Sequence, residues 1–460
     1  MQADVMTPAH NVISRVCGTS VRCQVAEQGI VAEQRVPPIW RAAGTYIVYF
    51  VAVGAAFPYL PIHYRALGLD LGTIGLLAAL SAATQLLAAP AWGSIADLFG
   101  RSRLTLPAAA IVAAGGAVAL AMAREPIAVT AAVVGLSVGL AGISPVLDAR
   151  TIELLGTDRA RYGRVRAWGS VSFLVSAALC GPLLDARGTG ALFVVYVPCL
   201  VLTALIALSV PRRSTERHAS LRLGTSQLIR QPRMGRFLVG SLLVWAALAA
   251  VNGFYSIQIV ALGGGASLVG LAWVVGALVE IPVMWTFPRL SERFGAEWLL
   301  VAGSAIFAAR NFLAAIAPSG TMLVAIAPLE GAAFGLFFVG GVGFVAARAP
   351  AGLAGTAQGI FSATTGLAAI LGTGAAGLVA SALTIPGLFA VAGVVGVVAT
   401  IVVADAVRGT VPLTGEVGPA AQASPVAVPA LLPIPAPVAV PVPAAVHPPD
   451  ASPPVPFKEV

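Results

Sequence analysis

Charge is what this sequence has least of. Only 10% of its 460 residues are Asp, Glu, Lys or Arg, where a soluble globular chain carries roughly 25%. Beside 58% hydrophobic residues, that deficit excludes a water-soluble assembly of two or three domains with polar faces. Cysteine is scarce as well. Cys17 and Cys23 stand in a polar leader and Cys180 and Cys199 in apolar blocks, which makes neither a disulfide framework nor, without histidine or cysteine partners near the first pair, a metal site. A Gly-x4-Gly-Lys-Ser/Thr loop is missing, so the chain does not drive ATP-powered transport by itself. No cofactor and no enzymatic activity are expected.

What is present is a succession of apolar blocks about twenty residues long, the length that crosses a bilayer as a helix. They run over 42–62, 72–96, 104–122, 127–149, 165–183 and 190–210, then 237–261, 266–287, 297–316, 321–346, 355–379 and 384–405. Between the sixth and seventh lies a polar, arginine-rich stretch, 211–236. The expected organisation is therefore all-α, with about twelve transmembrane helices in two six-helix bundles over 39–210 and 237–405. Residues 1–38 lack the continuous apolar run of a secretory signal peptide and are expected to form a disordered cytoplasmic leader. Residues 406–460 are rich in Pro, Ala and Val, as in Pro433-Ile434-Pro435-Ala436-Pro437. Repeated proline removes helix donors, so this tail is expected to be disordered rather than a further span.

The net charge of +8 is nearly all arginine. On a soluble chain it would raise the question of nucleic acid, but the arginines sit in short loops without an aromatic-interleaved basic patch. They report orientation instead. One set of loops holds Arg101 and Arg103, then Arg150 with Arg159, Arg161 and Arg164, then the 211–236 stretch, then Arg289, Arg293 and Arg348. The other holds little beyond Arg65, Arg124 and Arg187. The first set, and with it both termini, is expected at the cytoplasmic face of the cell membrane, in a monomeric multi-pass protein whose surroundings are lipid.

Corresponding points of the two halves carry similar residues. Asp97-Leu98-Phe99-Gly100 follows the second block and Glu292-Arg293-Phe294-Gly295 the eighth, as parallel repeats about an axis along the membrane normal would show. The stretch from Gly93 through Asp97 to Gly100-Arg101 and Arg103 resembles the loop signature of the major facilitator superfamily. That resemblance implies gating roles for Gly93, Asp97, Gly100 and Arg101; helix-cap roles in a solvated loop are the plainer alternative. Gly54-Ala55-Ala56-Phe57-Pro58-Tyr59-Leu60-Pro61 and Tyr162-Gly163-Arg164-Val165-Arg166-Ala167-Trp168-Gly169 are similar to motifs of the galactoside proton symporters and their nucleoside and phenylpropionate relatives. The likeness covers about residues 40–405.

Charges inside spans are costly and therefore functional candidates. Five stand out: Asp148, Arg166, Glu280, Arg310 and Glu330. Resemblance assigns Asp148, Arg166 and Phe173 to substrate binding, the fork of a guanidinium being suited to exchange between a carboxylate and a polar solute. Asn252, Tyr255 and Gln258 follow helical spacing and are candidates for a polar cavity wall or a packed helix interface. Arg310 matches the arginine of the group's proton-coupling cluster, which brings Glu280 and Glu330 with it. The pattern departs from the group: Glu330 stands where the galactoside symporters have histidine, and Ala333 where they have the coupling glutamate. Glu280 is displaced by about one turn, and acids expected on the seventh span are absent, so lactose is not inferred. Half of a drug-antiporter motif occurs at Gly181-Pro182, followed by Asp185 and Ala186 rather than two glycines.

The expected function is secondary active transport of a small polar organic solute, of the sugar, nucleoside or aromatic acid class, by alternating access and proton symport. Efflux on the same fold is the nearest rival. A membrane sensor without transport is a further one, against which the five buried charges speak.

Overall fold

The computed structural model describes residues 39–98, 102–155, 161–210, 232–349 and 353–408. The leader 1–38, most of the basic stretch, Gly100, Arg101 and the tail beyond residue 408 lie outside them. Within the described residues the chain is all-helical and has eleven helices long and apolar enough to cross a membrane.

The first crossing is built from α1 (Ile39–Ala56) and α2 (Leu60–Ala66), interrupted by a turn. Pro58 and Pro61 remove two backbone donors there, which ends one helix and starts the next. Then come α3 (Leu71–Leu98), α4 (Ser102–Met122), α5 (Pro126–Leu155), α6 (Tyr162–Arg187) and, after a short 3-10 turn, α7 (Leu192–Ala207). The second half comprises α8 (Pro232–Ala261), α9 (Ala266–Phe294), α10 (Ala296–Ala315), α11 (Gly320–Arg348) and α12 (Ala354–Val407). Helix α8 begins at Pro232, inside the stretch expected as loop, because proline is well placed in a first turn whose N–H groups have no helical partner. Asp70 precedes α3 and caps it, accepting hydrogen bonds from the Thr73 amide (3.0 Å) and hydroxyl (2.5 Å). Those bonds hold its carboxyl below the usual carboxylate range.

Helix α12 has 54 residues, about 80 Å at 1.5 Å per residue, against a hydrocarbon core of about 30 Å. It is not continuous. Thr384, just before Pro386, takes φ 70°, ψ 170° and divides it into two helical stretches. A β-branched residue enters the left-handed region only where the surroundings demand it; here Pro386 supplies no amide donor to the preceding turn.

Helices α1 and α3–α7 pack chiefly on one another, as do α8–α12, and two main seams join the groups, α3 against α12 and α6 against α9, with a smaller contact of α2 on α8. Large side chains that point away from both groups, among them Leu87, Leu179, Leu202, Leu278, Leu378 and Ile401, are exposed. On a soluble protein this apolar belt would drive aggregation; in lipid it is the solvated surface.

The seams are made of small residues. A Cβ on Gly181 would stand 2.7 Å from Ser267 Cα, and one on Gly75 2.5 Å from Gly377 Cα, so the backbones touch in the manner of small-residue contacts between membrane helices. Beside the first contact, Asp185 near the end of α6 reaches the start of α9. Its carboxylate accepts from the Ala266 amide (2.6 Å), the Ser267 amide (2.9 Å) and the Ser267 hydroxyl. It thus serves as the N-cap of a helix in the other group, at the positive end of that helix dipole. Asp185→Ala is expected to lower stability by about 1–2 kcal/mol, read as a shift of the thermal unfolding midpoint of the purified protein in detergent; an unchanged midpoint would show that the glycine contacts alone hold the seam.

Candidate functional site

Between the two helix groups lies a cavity whose space, counted together with the open solvent at its mouth, is about 820 Å³. Its first wall comes from α1 and α6, with Phe50, Ser170, Phe173 and Leu174. The other comes from α8, α9 and α11. Helical periodicity places its residues: Leu248, Asn252 and Tyr255 recur at four and three residues on α8, and Trp273, Gly276, Ala277 and Glu280 within two turns of α9. Glu330, Gly331 and Phe334 complete it from α11. Gly331 and Gly276 meet backbone to backbone, which lets α11 and α9 approach closely enough for both glutamates to face one space.

Of the residues singled out from the sequence, Phe173, Asn252, Glu280 and Glu330 line this cavity. Arg310 supports it from behind. Its side chain is 0% exposed, donates from Nη2 to Glu330 Oε2 at 2.7 Å and from Nη1 to Asn311 Oδ1 at 3.2 Å, and lies 4.2 Å above the Tyr255 ring centroid. The Tyr255 hydroxyl in turn donates to the Leu323 carbonyl at 2.5 Å. An arginine can be buried this deeply because a carboxylate, an amide and an aromatic face meet its charge together. Glu280 has no such partner: its Oε1 is buried without a hydrogen bond, and Glu330 is near enough for the two charges to couple. Gln258, also expected near this wall, is buried outside the cavity.

Asp148 and Arg166 form a separate cluster. Asp148 accepts a hydrogen bond from the Tyr46 hydroxyl. It lies well inside α5, which runs on to Leu155 beyond the block boundary at 149. The Arg166 guanidinium is 4.1 Å from the Phe50 ring centroid and 5.5 Å from that of Tyr46. It does not line the cavity. Phe50 does, so the arginine stands behind that ring, one turn along α6 from Ser170 and two from Phe173. Gly169 makes the stacking possible, since a Cβ there would lie 2.9 Å from Phe50 Cδ2 and 3.1 Å from Arg166 Nη1.

Gly93 is on the last turns of α3 with open space where a Cβ would point. Asp97 belongs to the same helix, while Gly100 and Arg101 lie outside the described residues. Sequence reasoning passed over Tyr46, Trp273, Asn311 and the capping role of Asp185. Trp273 could have been noticed as the sole aromatic of 266–284. The others carry no periodic or motif signal, because their partners are remote in sequence or, for Asn311, adjacent.

Comparison with known proteins agrees with this architecture. The chain belongs to the MFS_1 like family, whose model matches residues 39–389, and it is a multi-pass membrane transporter rather than an enzyme. Among its relatives are a maltose permease of Geobacillus stearothermophilus, 28% identical over 337 residues, 73% of this chain and 84% of the permease, and a probable 3-phenylpropionic acid transporter of Escherichia coli (strain K12), 27% identical over 320 residues, 67% and 82% of the two chains. Among solved structures, the nucleoside transporter NupG has the same fold, with a TM-score of 0.72 at 17% identity over 81% of this chain and 99% of its own.

The Arg310–Glu330 pair yields a stability prediction. Arg310→Met leaves a carboxylate without its partner and is expected to cost about 3–5 kcal/mol, whereas Arg310→Met combined with Glu330→Leu recovers most of that loss. Thermal unfolding in detergent measures both; a double variant no more stable than the single one would mean that Arg310 is held by packing rather than by charge.

Proposed function

We propose that this chain moves a small polar organic solute of the sugar, nucleoside or aromatic acid class across the cytoplasmic membrane by alternating access, coupled to protons. The observation that carries the reading is the cavity between the two helix groups with Glu280 and Glu330 on its wall and Arg310 buried behind them. With α1 and α2 as one crossing and α12 as two, the helices form twelve spans in two six-helix bundles. The chain acts as a monomer with both termini cytoplasmic, in keeping with the arginine-rich loops on one face. On that reading the Asp185 cap and the glycine seams close the outer end of the cavity, and rocking of one bundle against the other opens it.

Coupling follows from the cost of charge in a dry interior. Arg310 holds Glu330 as an ion pair. When a proton or solute takes its place, the arginine is left to rearrange, and the two states of that pairing link proton and solute. Glu280 beside it is the second candidate proton carrier. Arg166, with Asp148, acts on the solute through Phe50 and the α6 wall, and the Gly93, Asp97, Gly100 and Arg101 loop governs the inner gate.

Uptake into sealed proteoliposomes under an imposed proton gradient tests the mechanism. Glu330→Gln mimics a permanently protonated acid and is expected to keep solute exchange while losing accumulation. Arg166→Lys keeps charge but not the planar fork, and is expected to weaken apparent affinity about tenfold or more. If Glu280→Gln alone abolishes accumulation, the proton resides on α9; if both glutamine variants accumulate solute normally, coupling through these glutamates is wrong.

Topology has its own test. Single cysteines at Ser214 and Gly264, in a chain without the native four, are expected to differ on intact cells, with only position 264 reacting with an impermeant maleimide. Labelling at 214 from outside would reverse the orientation.

A further inference from the structure

The cavity wall carries two acceptor atoms without partners, on Asn252 and Glu280, beside two neutral groups that can donate, on Trp273 and Ser170. Asn252 and Glu280 are 8% and 9% exposed, both line the cavity, and neither Asn252 Oδ1 nor Glu280 Oε1 has a hydrogen-bond partner in the protein. Buried acceptors without donors are costly, and a bound molecule that brings donors relieves that cost. Among the described residues, no lysine, arginine or histidine lines the cavity. The guanidinium of Arg310 lies behind the wall, where its two terminal nitrogens donate to Glu330 and Asn311 while Nε is buried without a partner. The other unpartnered polar groups on the wall, Trp273 Nε1 and Ser170 Oγ, are neutral. Turning the Asn252 amide would offer N–H groups but no positive charge to meet a buried anion.

Aromatic rings surround these groups, Phe50 and Phe173 from the first wall and Trp273 and Phe334 from the same wall as Asn252 and Glu280. Phe173 and Phe57 meet Trp273 edge to face, at 6.3 and 5.2 Å between ring centroids, and Phe50 and Phe334 flank them on the cavity. Such rings receive a flat or apolar molecular face.

Building on the transport reading above, we propose that the cavity selects solutes without negative charge that present hydrogen-bond donors along one edge and a flat face to the rings, and that Asn252 and Glu280 set this choice. Hydroxyls of a sugar or nucleoside and an ammonium group share the required chemistry. A carboxylate does not: it brings negative charge to a wall that holds two acidic residues and no cation. The chain therefore differs in selectivity from its relative that bears the 3-phenylpropionic acid name.

The test uses the full chain in detergent, with the fluorescence of Trp273 isolated by difference from Trp273→Phe, or from Trp273→Tyr should the first variant not fold. The probes are maltose, uridine and the matched pair 3-phenylpropylamine and 3-phenylpropionate, each scored by protection of Trp273 from acrylamide. The amine is expected to bind at least about tenfold more tightly than the acid. The two arms with hydroxyl donors then show whether a sugar, a nucleoside or an ammonium satisfies the two acceptors best. Caesium is expected to quench Trp273 more strongly than iodide, and Glu280→Gln to narrow that difference and improve binding of the acid. Binding of 3-phenylpropionate as tight as that of the amine, or equal quenching by the two ions, would overturn the proposal. If those results came with intact proton-driven uptake, the selectivity would fall and transport would stand. The expected ratios without any uptake in vesicles would instead support the selectivity and remove the transport reading.

Discussion

A guanidinium with none of its surface exposed, in the middle of an apolar helix, is the most demanding object in this molecule. Lipid offers it no hydrogen bond, and burying an unpaired charge is prohibitive. Arg310 therefore dictates its surroundings: α11 must bring Glu330 to 2.7 Å and α8 must present the Tyr255 face. Three helices of the second group are thereby brought to one place, and the cavity opens on the side of that place where Glu330 and Tyr255 meet solvent-accessible space.

The same economy of charge explains the division of the site. Acidic groups of the second half face the cavity directly, while in the first half Arg166 is stacked on Phe50 and Asp148 is bonded by Tyr46. Contact between the halves includes glycines whose missing side chains let backbones meet and one carboxylate that caps a helix of the other half.

Family membership sets this arrangement among transporters whose named solutes differ widely, from maltose to 3-phenylpropionic acid. The fold alone does not choose between them. In this chain the cavity wall combines aromatic faces with two acidic residues and lacks a cation among the described residues.

The sequence by itself determined the helices, their approximate number and the identity of the costly charges, because a bilayer tolerates only long apolar helices and makes every intramembrane charge conspicuous. It also indicated Asn252 and Tyr255 as one face, since helical spacing is local information. Which charges meet was decided by tertiary structure alone. Glu330 pairs with Arg310 and Glu280 stays unpartnered because of the close approach of α9 to α11 at Gly276 and Gly331, a relation between residues that no period along the chain encodes. The withdrawal of Arg166 behind Phe50, the entry of Trp273 into the wall and the capping of α9 by Asp185 are of the same kind. Each depends on how one helix is rotated and shifted against another, and in lipid that is settled by the fit of small residues across an interface rather than by hydrophobic pattern.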